Sequence, residues 1–274
     1  MPPSLLQIGA NEHSSNAAFA HDPVPSLIRR GWSATLLEPQ PGPASSLRTL
    51  YTSNSAVRVV QAAMCQDDAT TSVPLYFING SKTLGANESD FRCMGGNVIS
   101  GTASFTRSLI MAHQRFYKYT PSQCANCAKF LGRPLPPTCM RRVYSDNLDV
   151  ISVPCARAAD LLSGSETALL VVVDAEGEDD HIVTRLIELR KGAPPPVLVY
   201  EQAHLKKDRK HALARRLRSA GMVPYNRSAM RAPFSPLSAA SWSDIRRALT
   251  RVDMRDNAAW VLYPSTAGAL RRGD

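Results

Sequence analysis

Apolar runs alternate with stretches of helical periodicity along most of the chain, at the spacing of repeated strand–helix units. The apolar runs predict strands near residues 4–8, 34–38, 57–61, 169–174, 196–201, 222–226 and 258–263, and the run at 73–78 can add another. The periodic stretches predict helices near 24–31, 43–52, 156–163, 178–191, 205–220 and 241–251. This order is typical of an α/β protein with a mostly parallel sheet and helices on both faces.

Acidic residues follow the predicted fourth strand directly. If the strand continues through Ala175, Asp174 and Glu176 point to the same face, because side chains in an extended chain alternate. Gly177 then lets the backbone turn. The helix that follows opens with acidic residues, which the helix dipole favours: Glu178, Asp179 and Asp180. Ligand sites of open α/β sheets lie just beyond such strand ends. An ordinary acidic loop is the alternative interpretation.

The first two strands end in a comparable way. Gly9, Ala10 and Asn11 are small residues that allow a ligand to approach the backbone closely. Glu38 ends the second strand before Pro39, where a carboxylate can accept hydrogen bonds from two ribose hydroxyls. The separation between Gly9 and Glu38 exceeds the roughly 20 residues of the dinucleotide fingerprint, and is a departure from it.

Taken in order, the segments IGAN, DPVPSLIRRGW, LLEPQP, VRVVQAA, VDAEGED and VLVYEQAHL resemble the FkbM-like S-adenosylmethionine-dependent methyltransferases. The resemblance covers about residues 5–80 and 150–230. It implies a Rossmann-like class I methyltransferase sheet of seven strands whose last strand is antiparallel. It also implies S-adenosylmethionine as cofactor and O-methylation of a hydroxyl on a carbohydrate or another polar, small-molecule acceptor.

The same resemblance assigns residues to the site. The expected cofactor-binding residues are Gly9, Ala10, Asn11, Glu38 and Ala63. Asp174, Glu176 and Asp179 match the family's DxEGxD-type motif. The chain departs from the pattern at Gln7, where an acid often ends the first strand, and at His13 and Ser14, where a second glycine is common.

The predicted fifth strand supplies the remaining candidates. It ends at Glu201, with His204 three residues later, next to the strand that leads to Asp174. We expect Asp174, Glu176, Glu201 and His204 to be catalytic, with His204 a possible base for the acceptor hydroxyl and Glu201 orienting the acceptor. His204 could equally be a helix N-terminal residue without a catalytic task. Asp174, Glu176 and Glu201 could instead hold magnesium or manganese, but no metal is our preferred interpretation.

Residues 80–150 break the alternation, since they are rich in Gly, Ser, Asn and Pro. We interpret them as an irregular insertion in one methyltransferase-like domain of residues 1–274. By the resemblance, this insertion shapes the acceptor pocket, and a plain surface loop is the alternative. Its candidate pocket residues are His113, Arg115, Tyr117 and Tyr119.

Five of the six cysteines lie in or beside this insertion, and Cys65 lies apart. Cys124 and Cys127 form a C-x-x-C pair that Cys139 and Cys155 could complete as a zinc site. Because the second pair lacks that spacing, we expect unlinked thiols. Structural zinc and disulfides are the alternatives.

Composition narrows the function classes. The chain has 32 Lys and Arg against 23 Asp and Glu, a net charge of +9 that favours anionic partners in general. The densest basic run, residues 204–221, suits a solvated amphipathic helix and lacks interleaved aromatic residues, so no nucleic-acid partner is expected. No apolar run approaches the roughly 18 residues of a membrane span. We expect a soluble, cytoplasmic protein, with an organellar precursor left open.

The function expected from the sequence is therefore an S-adenosylmethionine-dependent O-methyltransferase. Two alternatives stay open. One is a degenerate methyltransferase fold that acts as a non-catalytic binding module, which the departures at Gln7 and His13 make credible. The other is a different nucleotide-binding Rossmann-like enzyme, although the G-x-G-x-x-G motif is missing.

Overall fold

The structure is a computed structural model. It describes residues 2–11, 13, 22–65, 67–79, 103–116, 124–125, 128–129, 132, 134, 147–157, 161, 168–190, 194–225, 238–250, 252 and 257–262, and excludes the side chains of 112–116, 239 and 262. The chain forms two compact units. The first comprises Met1–Thr71 with Pro154–Asp274, and the second comprises Ser72–Val153.

The strands of the first unit's main sheet are β1 (Ser4–Ile8), β2 (Ser33–Leu37), β3 (Val57–Val60), β8 (Leu170–Val173), β9 (Val197–Glu201), β10 (Met222–Pro224) and β11 (Asn257–Leu262). The other strands are β4 (Ala63–Met64), β5 (Ser72–Ile78), β6 (Ala103–Ser104) and β7 (Leu148–Ala156). The helices are α1 (Val24–Ile28), α2 (Pro41–Leu50), α3 (Arg107–Phe116), α4 (Asp179–Leu189), α5 (Lys207–Ser219) and α6 (Ala239–Leu249).

The main sheet has the order β10–β11–β9–β8–β1–β2–β3. The five strands from β9 to β3 pair in parallel, whereas β11 runs antiparallel to both β9 and β10. The sheet is therefore mixed, with a parallel centre. All five predicted strands of that centre, and the late pair, are confirmed to within one or two residues at their ends.

Helices cover both faces of this sheet. Two clusters of buried apolar residues lie on opposite faces of the sheet. The side chains of β8 alternate between them: Leu170 and Val172 belong to the first cluster, and Val171 and Val173 belong to the second. The first cluster includes apolar residues of α1, α2 and α6, and the second includes those of α4 and α5. A strand that is covered on both faces reads as a continuous apolar run, which is why the LVVV segment predicted it well.

The parallel centre places the carboxyl ends of β1, β2, β8 and β9 at one edge. Their pairing is in close register, with Ile8 opposite both Leu37 and Val173, and Val173 opposite Tyr200. The loops that carry the predicted site residues therefore leave the sheet side by side.

The second unit contains regular structure where we expected an irregular insertion. Within 80–150 these elements are β6 and α3, and β7 begins at Leu148. Strand β5 precedes this range, corresponds to the additional strand predicted at 73–78, and pairs antiparallel with β6, with Tyr76 opposite Ser104. Strand β7 was not predicted, because its alternating residues are mostly exposed or half-buried and form no continuous apolar run. Of the helix predicted at 156–163, Ala156 is instead the last residue of β7. The side chains of His113, Arg115, Tyr117 and Tyr119 lie outside the described residues.

The preference for unlinked thiols is wrong for three cysteines, Cys65, Cys124 and Cys155. Cys65 and Cys155 form a disulfide with a Cα–Cα distance of 5.6 Å, across a sequence separation of 90. Strand β4 brings them together, because Ala63 lies opposite Cys155 in its parallel pairing with β7. Cys124 is also disulfide-bonded. A bridge between Cys65 and Cys155 rules out the proposed zinc role of Cys155. Cys93, Cys127 and Cys139 lie outside the described residues.

None of the helices among the described residues is long and apolar enough to cross a membrane.

Candidate functional site

The loop after β1 packs directly against the loop after β8. Gly9 has a φ of +78°, and a Cβ atom built at this residue would overlap the backbone carbonyl oxygen of Asp174. Only glycine fits both the dihedral and the space. The Asp174 backbone N–H donates to the carbonyl of Ile8 at 2.9 Å, and the Gly9 N–H donates to Leu37 at 2.9 Å. Three strand ends therefore fix the position of this loop.

Glu38 holds the same loop from the β2 side. Its side chain is buried, with 3% of its surface exposed. Its Oε2 accepts the N–H of Asn11 at 2.8 Å, and its Oε1 accepts the N–H of Gln40 at 2.7 Å. Each carboxylate oxygen keeps a second lone pair for a further donor. Asn11 has a φ of +52°, so the loop bends sharply to make this contact.

Gln7 and His13, which lie at and just after the end of β1, form a polar network with Asp22 and Tyr51. The Gln7 side chain donates from Nε2 to Asp22 at 2.9 Å, and His13 Nε2 lies 2.7 Å from Gln7 Oε1. His13 Nδ1 lies 2.9 Å from the hydroxyl of Tyr51. Asp22 thus brings a carboxylate to the end of β1, beside Gln7 and His13. Sequence reasoning missed Asp22, whose only local signal was its place before the proline that opens α1.

The loop between β8 and α4 has a different shape from the one expected. Strand β8 ends at Val173, and Glu176 lies in a turn with a φ of +49°, so strand alternation does not place Asp174 and Glu176 on one face. Asp179 is buried and accepts the N–H groups of Ala175 and Gly177, both at 3.2 Å. Asp179 therefore stabilises the conformation of this loop through two backbone hydrogen bonds.

Glu176, Glu201 and His204 meet at this edge, beyond the ends of β8 and β9. His204 Nε2 lies 3.2 Å from Glu176 Oε2 and 3.5 Å from Glu201 Oε1. The side chains of Glu176, Glu201 and His204 are 24%, 15% and 12% exposed. Glu201 also shares a hydrogen bond with the side chain of Asp174, which requires one proton between the two carboxyl groups. The four predicted catalytic residues are thus linked by contacts.

Burial and mutual repulsion raise the pKa of the carboxyl groups at this edge. Burial raises the pKa of Glu38 to about 7 and that of Asp179 to about 8, and the charge of Asp174 adds to both. Burial, then Asp174 and Asp179, raise the pKa of Glu176 well above its usual value. Asp174 is reached by solvent but is surrounded by protein, so it lies in a recess. Desolvation there and the charge of Asp22 raise its pKa. Clusters of this kind are typical of functional sites.

Two cavities flank the edge within the first unit. One, of about 510 Å³, lies beyond Glu201 and is lined by Tyr200, Gln202, Lys207, His211 and Trp260 among others. The second, of about 390 Å³, is lined by Val60, Ala62 and Cys155 among others.

Ala63, the last predicted cofactor residue, is buried in β4. Its neighbour Ala62 lines the second cavity.

Comparisons with protein-family models, with curated proteins and with solved structures found no match to this chain. The case for its function therefore depends on the site itself.

Proposed function

We propose that the protein is an S-adenosylmethionine-dependent O-methyltransferase. The observation that carries the proposal is the convergence of the Gly9–Asn11 loop, Glu38 and Asp174 at one edge of the sheet. A mixed seven-stranded sheet with an antiparallel strand near its end supports it, since the resemblance to FkbM-like methyltransferases implies this type of sheet.

The residues at this edge fit the cofactor. The remaining lone pairs of Glu38 suit the two vicinal hydroxyls of a ribose. Gly9 is needed because the Asp174 carbonyl fills the space where a side chain would lie, and a ligand would contact the partly exposed backbone of Gly9 and Asn11 beside it. Asp174, in its recess, provides negative charge on the side where a positively charged sulfonium would be favoured. S-adenosylmethionine supplies an electrophilic methyl group for in-line transfer.

The acceptor side provides for the hydroxyl. A hydroxyl must lose its proton as the methyl group is transferred, and the imidazole of His204, which lies against Glu176 and Glu201, can accept it. The 510 Å³ cavity begins at Gln202, the residue after Glu201. Its aromatic and polar walls, with Tyr200, Trp260 and Lys207, suit a carbohydrate or another polar metabolite.

Titration calorimetry of the purified full chain with S-adenosylmethionine and S-adenosylhomocysteine tests the proposal. We expect binding of both, and Glu38→Ala should weaken it by about 10- to 150-fold, the equivalent of about 1.5–3 kcal/mol for hydrogen bonds to a charged group. Glu188→Ala, which removes a half-exposed carboxylate of α4, is the matched control and should bind normally.

The alternatives give different results in the same assay. No heat with either ligand would contradict the proposal and favour a non-catalytic binding module. Binding of NAD that depends on Glu38, without binding of the methyl donor, would favour another nucleotide-binding enzyme.

A further inference from the structure

We propose that Glu176, Glu201 and His204 form a binding site for a divalent transition-metal ion. Each residue offers one ligand atom, and these atoms all lie within 4.8 Å of one another. The separations of 3.2 and 3.5 Å from His204 Nε2 to the two carboxylate oxygens are close to the roughly 3 Å between neighbouring ligands around an ion with bonds of about 2.1 Å. An ion can therefore enter with only small side-chain movements.

The three ligands are held by the fold at independent points. Glu201 is the last residue of β9, and His204 lies in the next turn, which the Leu205 N–H closes by donating to Gln202 at 3.2 Å. Glu176 comes from the loop after β8, the parallel neighbour of β9, and Asp179 fixes that loop. Ligands supported in this way need little reorganisation on binding.

The Asp174 side chain supports the site from outside the ligand set. Its hydrogen bond to Glu201 holds that carboxyl group in place, and when Glu201 binds a metal ion the proton that the pair shares would move to Asp174 or to solvent. The set that the structure brings together thus differs from the all-carboxylate set considered from the sequence, because His204 takes the place of Asp174.

The ligand chemistry favours one group of ions. An imidazole nitrogen with two carboxylate oxygens suits manganese, cobalt or zinc, whereas magnesium and calcium prefer oxygen ligands alone. The partial exposure of all three side chains leaves room for further ligands, as in catalytic metal sites.

The role of the ion in methyl transfer rests on the proposed function: the ion would lower the pKa of the acceptor hydroxyl, whose proton then passes to solvent. Cation binding itself does not depend on that function.

The competing interpretation is an ion pair without metal. A protonated His204 between two carboxylates would have the same short distances. The two interpretations differ in whether the purified protein binds an added metal ion at these residues.

Titration with Mn²⁺, followed by the electron paramagnetic resonance signal of the free ion, separates them. The full chain, with its disulfides intact, is first treated with EDTA and dialysed. We expect one Mn²⁺ per chain, and at least tenfold weaker binding in each of His204→Gln, Glu176→Gln and Glu201→Gln. His181→Gln and Glu188→Gln remove the same types of side chain from exposed positions of α4 and should bind Mn²⁺ normally.

Circular dichroism of each variant checks that it is folded. If one of the three ligand variants does not fold, the other two still test the site. The absence of stoichiometric Mn²⁺ binding, or unchanged affinity in the folded ligand variants, would overturn the metal site. Calorimetry with S-adenosylmethionine on the same samples keeps the two proposals apart. Mn²⁺ binding without cofactor binding would refute only the methyltransferase, and cofactor binding without Mn²⁺ would refute only the metal site.

Discussion

Replacement of Glu38 by Gln should make the ligand-free protein relatively more stable at alkaline pH while it weakens cofactor binding. Glu38 is 3% exposed, and burial raises its pKa from 4.5 to about 7. The folded state therefore holds a proton that the unfolded state releases between these two values, so stability falls as the pH rises from about 4.5 to about 7. A shift of this size corresponds to about 3 kcal/mol, lost in full above pH 7.

Glutamine is neutral at every pH and escapes this loss. It has only one oxygen, however, so one of the two backbone N–H groups of Asn11 and Gln40 loses its acceptor, at a constant cost of about 1–2 kcal/mol. The variant should thus be the less stable protein at pH 5 and the more stable one at pH 8. The difference between the two proteins should change by about 2–3 kcal/mol across that range.

Urea denaturation at pH 5 and pH 8, followed by tryptophan fluorescence, measures this difference. All three tryptophans, Trp32, Trp242 and Trp260, belong to the unit that contains Glu38. Glu188→Gln alters a half-exposed carboxylate and should show no comparable change with pH. If the stability difference between Glu38→Gln and the parent protein is the same at both pH values, the raised pKa and the reasoning from burial are refuted.

Three further predictions follow from the same geometry. Gly9→Ala should destabilise the protein by on the order of 3 kcal/mol or more in urea denaturation, since it combines a positive φ with a backbone clash, whereas Gly42→Ala, with open space around its Cβ, should change stability by less than about 1 kcal/mol. Replacing both Cys65 and Cys155 by Ala should lower the free energy of unfolding by about 4.5 kcal/mol, the contribution expected from closing a loop of this length, and an unchanged denaturation midpoint would contradict it. Asp174→Asn should lower methyl transfer to a known acceptor by at least about a hundredfold with the fold intact by circular dichroism, and a fully active variant would exclude a role for its charge.

The disulfide also bears on the location expected from the sequence. Disulfides persist in oxidising compartments and are rare in the cytosol of most organisms. The bond between Cys65 and Cys155 is typical of an oxidising compartment, and the cytoplasmic location that we expected stays a prediction. Thiol labelling of the protein from its native source, without reduction, should leave Cys65 and Cys155 unmodified.

The sequence by itself determined the centre of the fold. Runs such as LLQI and LVVV are apolar on both faces, and only a strand covered by helices on both sides buries them, so β1 and β8 could be located within a residue or two. The polar residues that end these strands could also be assigned to one edge, because parallel strands share their carboxyl ends. Glu38, Asp174 and Glu201 were found by this rule.

Only the tertiary structure decided how those residues meet. Loop geometry decides three features: the turn at Glu176, the hydrogen bonds that Asp179 accepts from that loop, and the contacts of His204 with both glutamates. Loop geometry leaves no periodic signal in the sequence. The partner of Cys65 could not be read from spacing either, because it is set by the pairing of β4 with a strand about 90 residues away. Patterns along the chain determine which residues are buried and where strands end, whereas contacts between distant loops arise only when the whole sheet has formed.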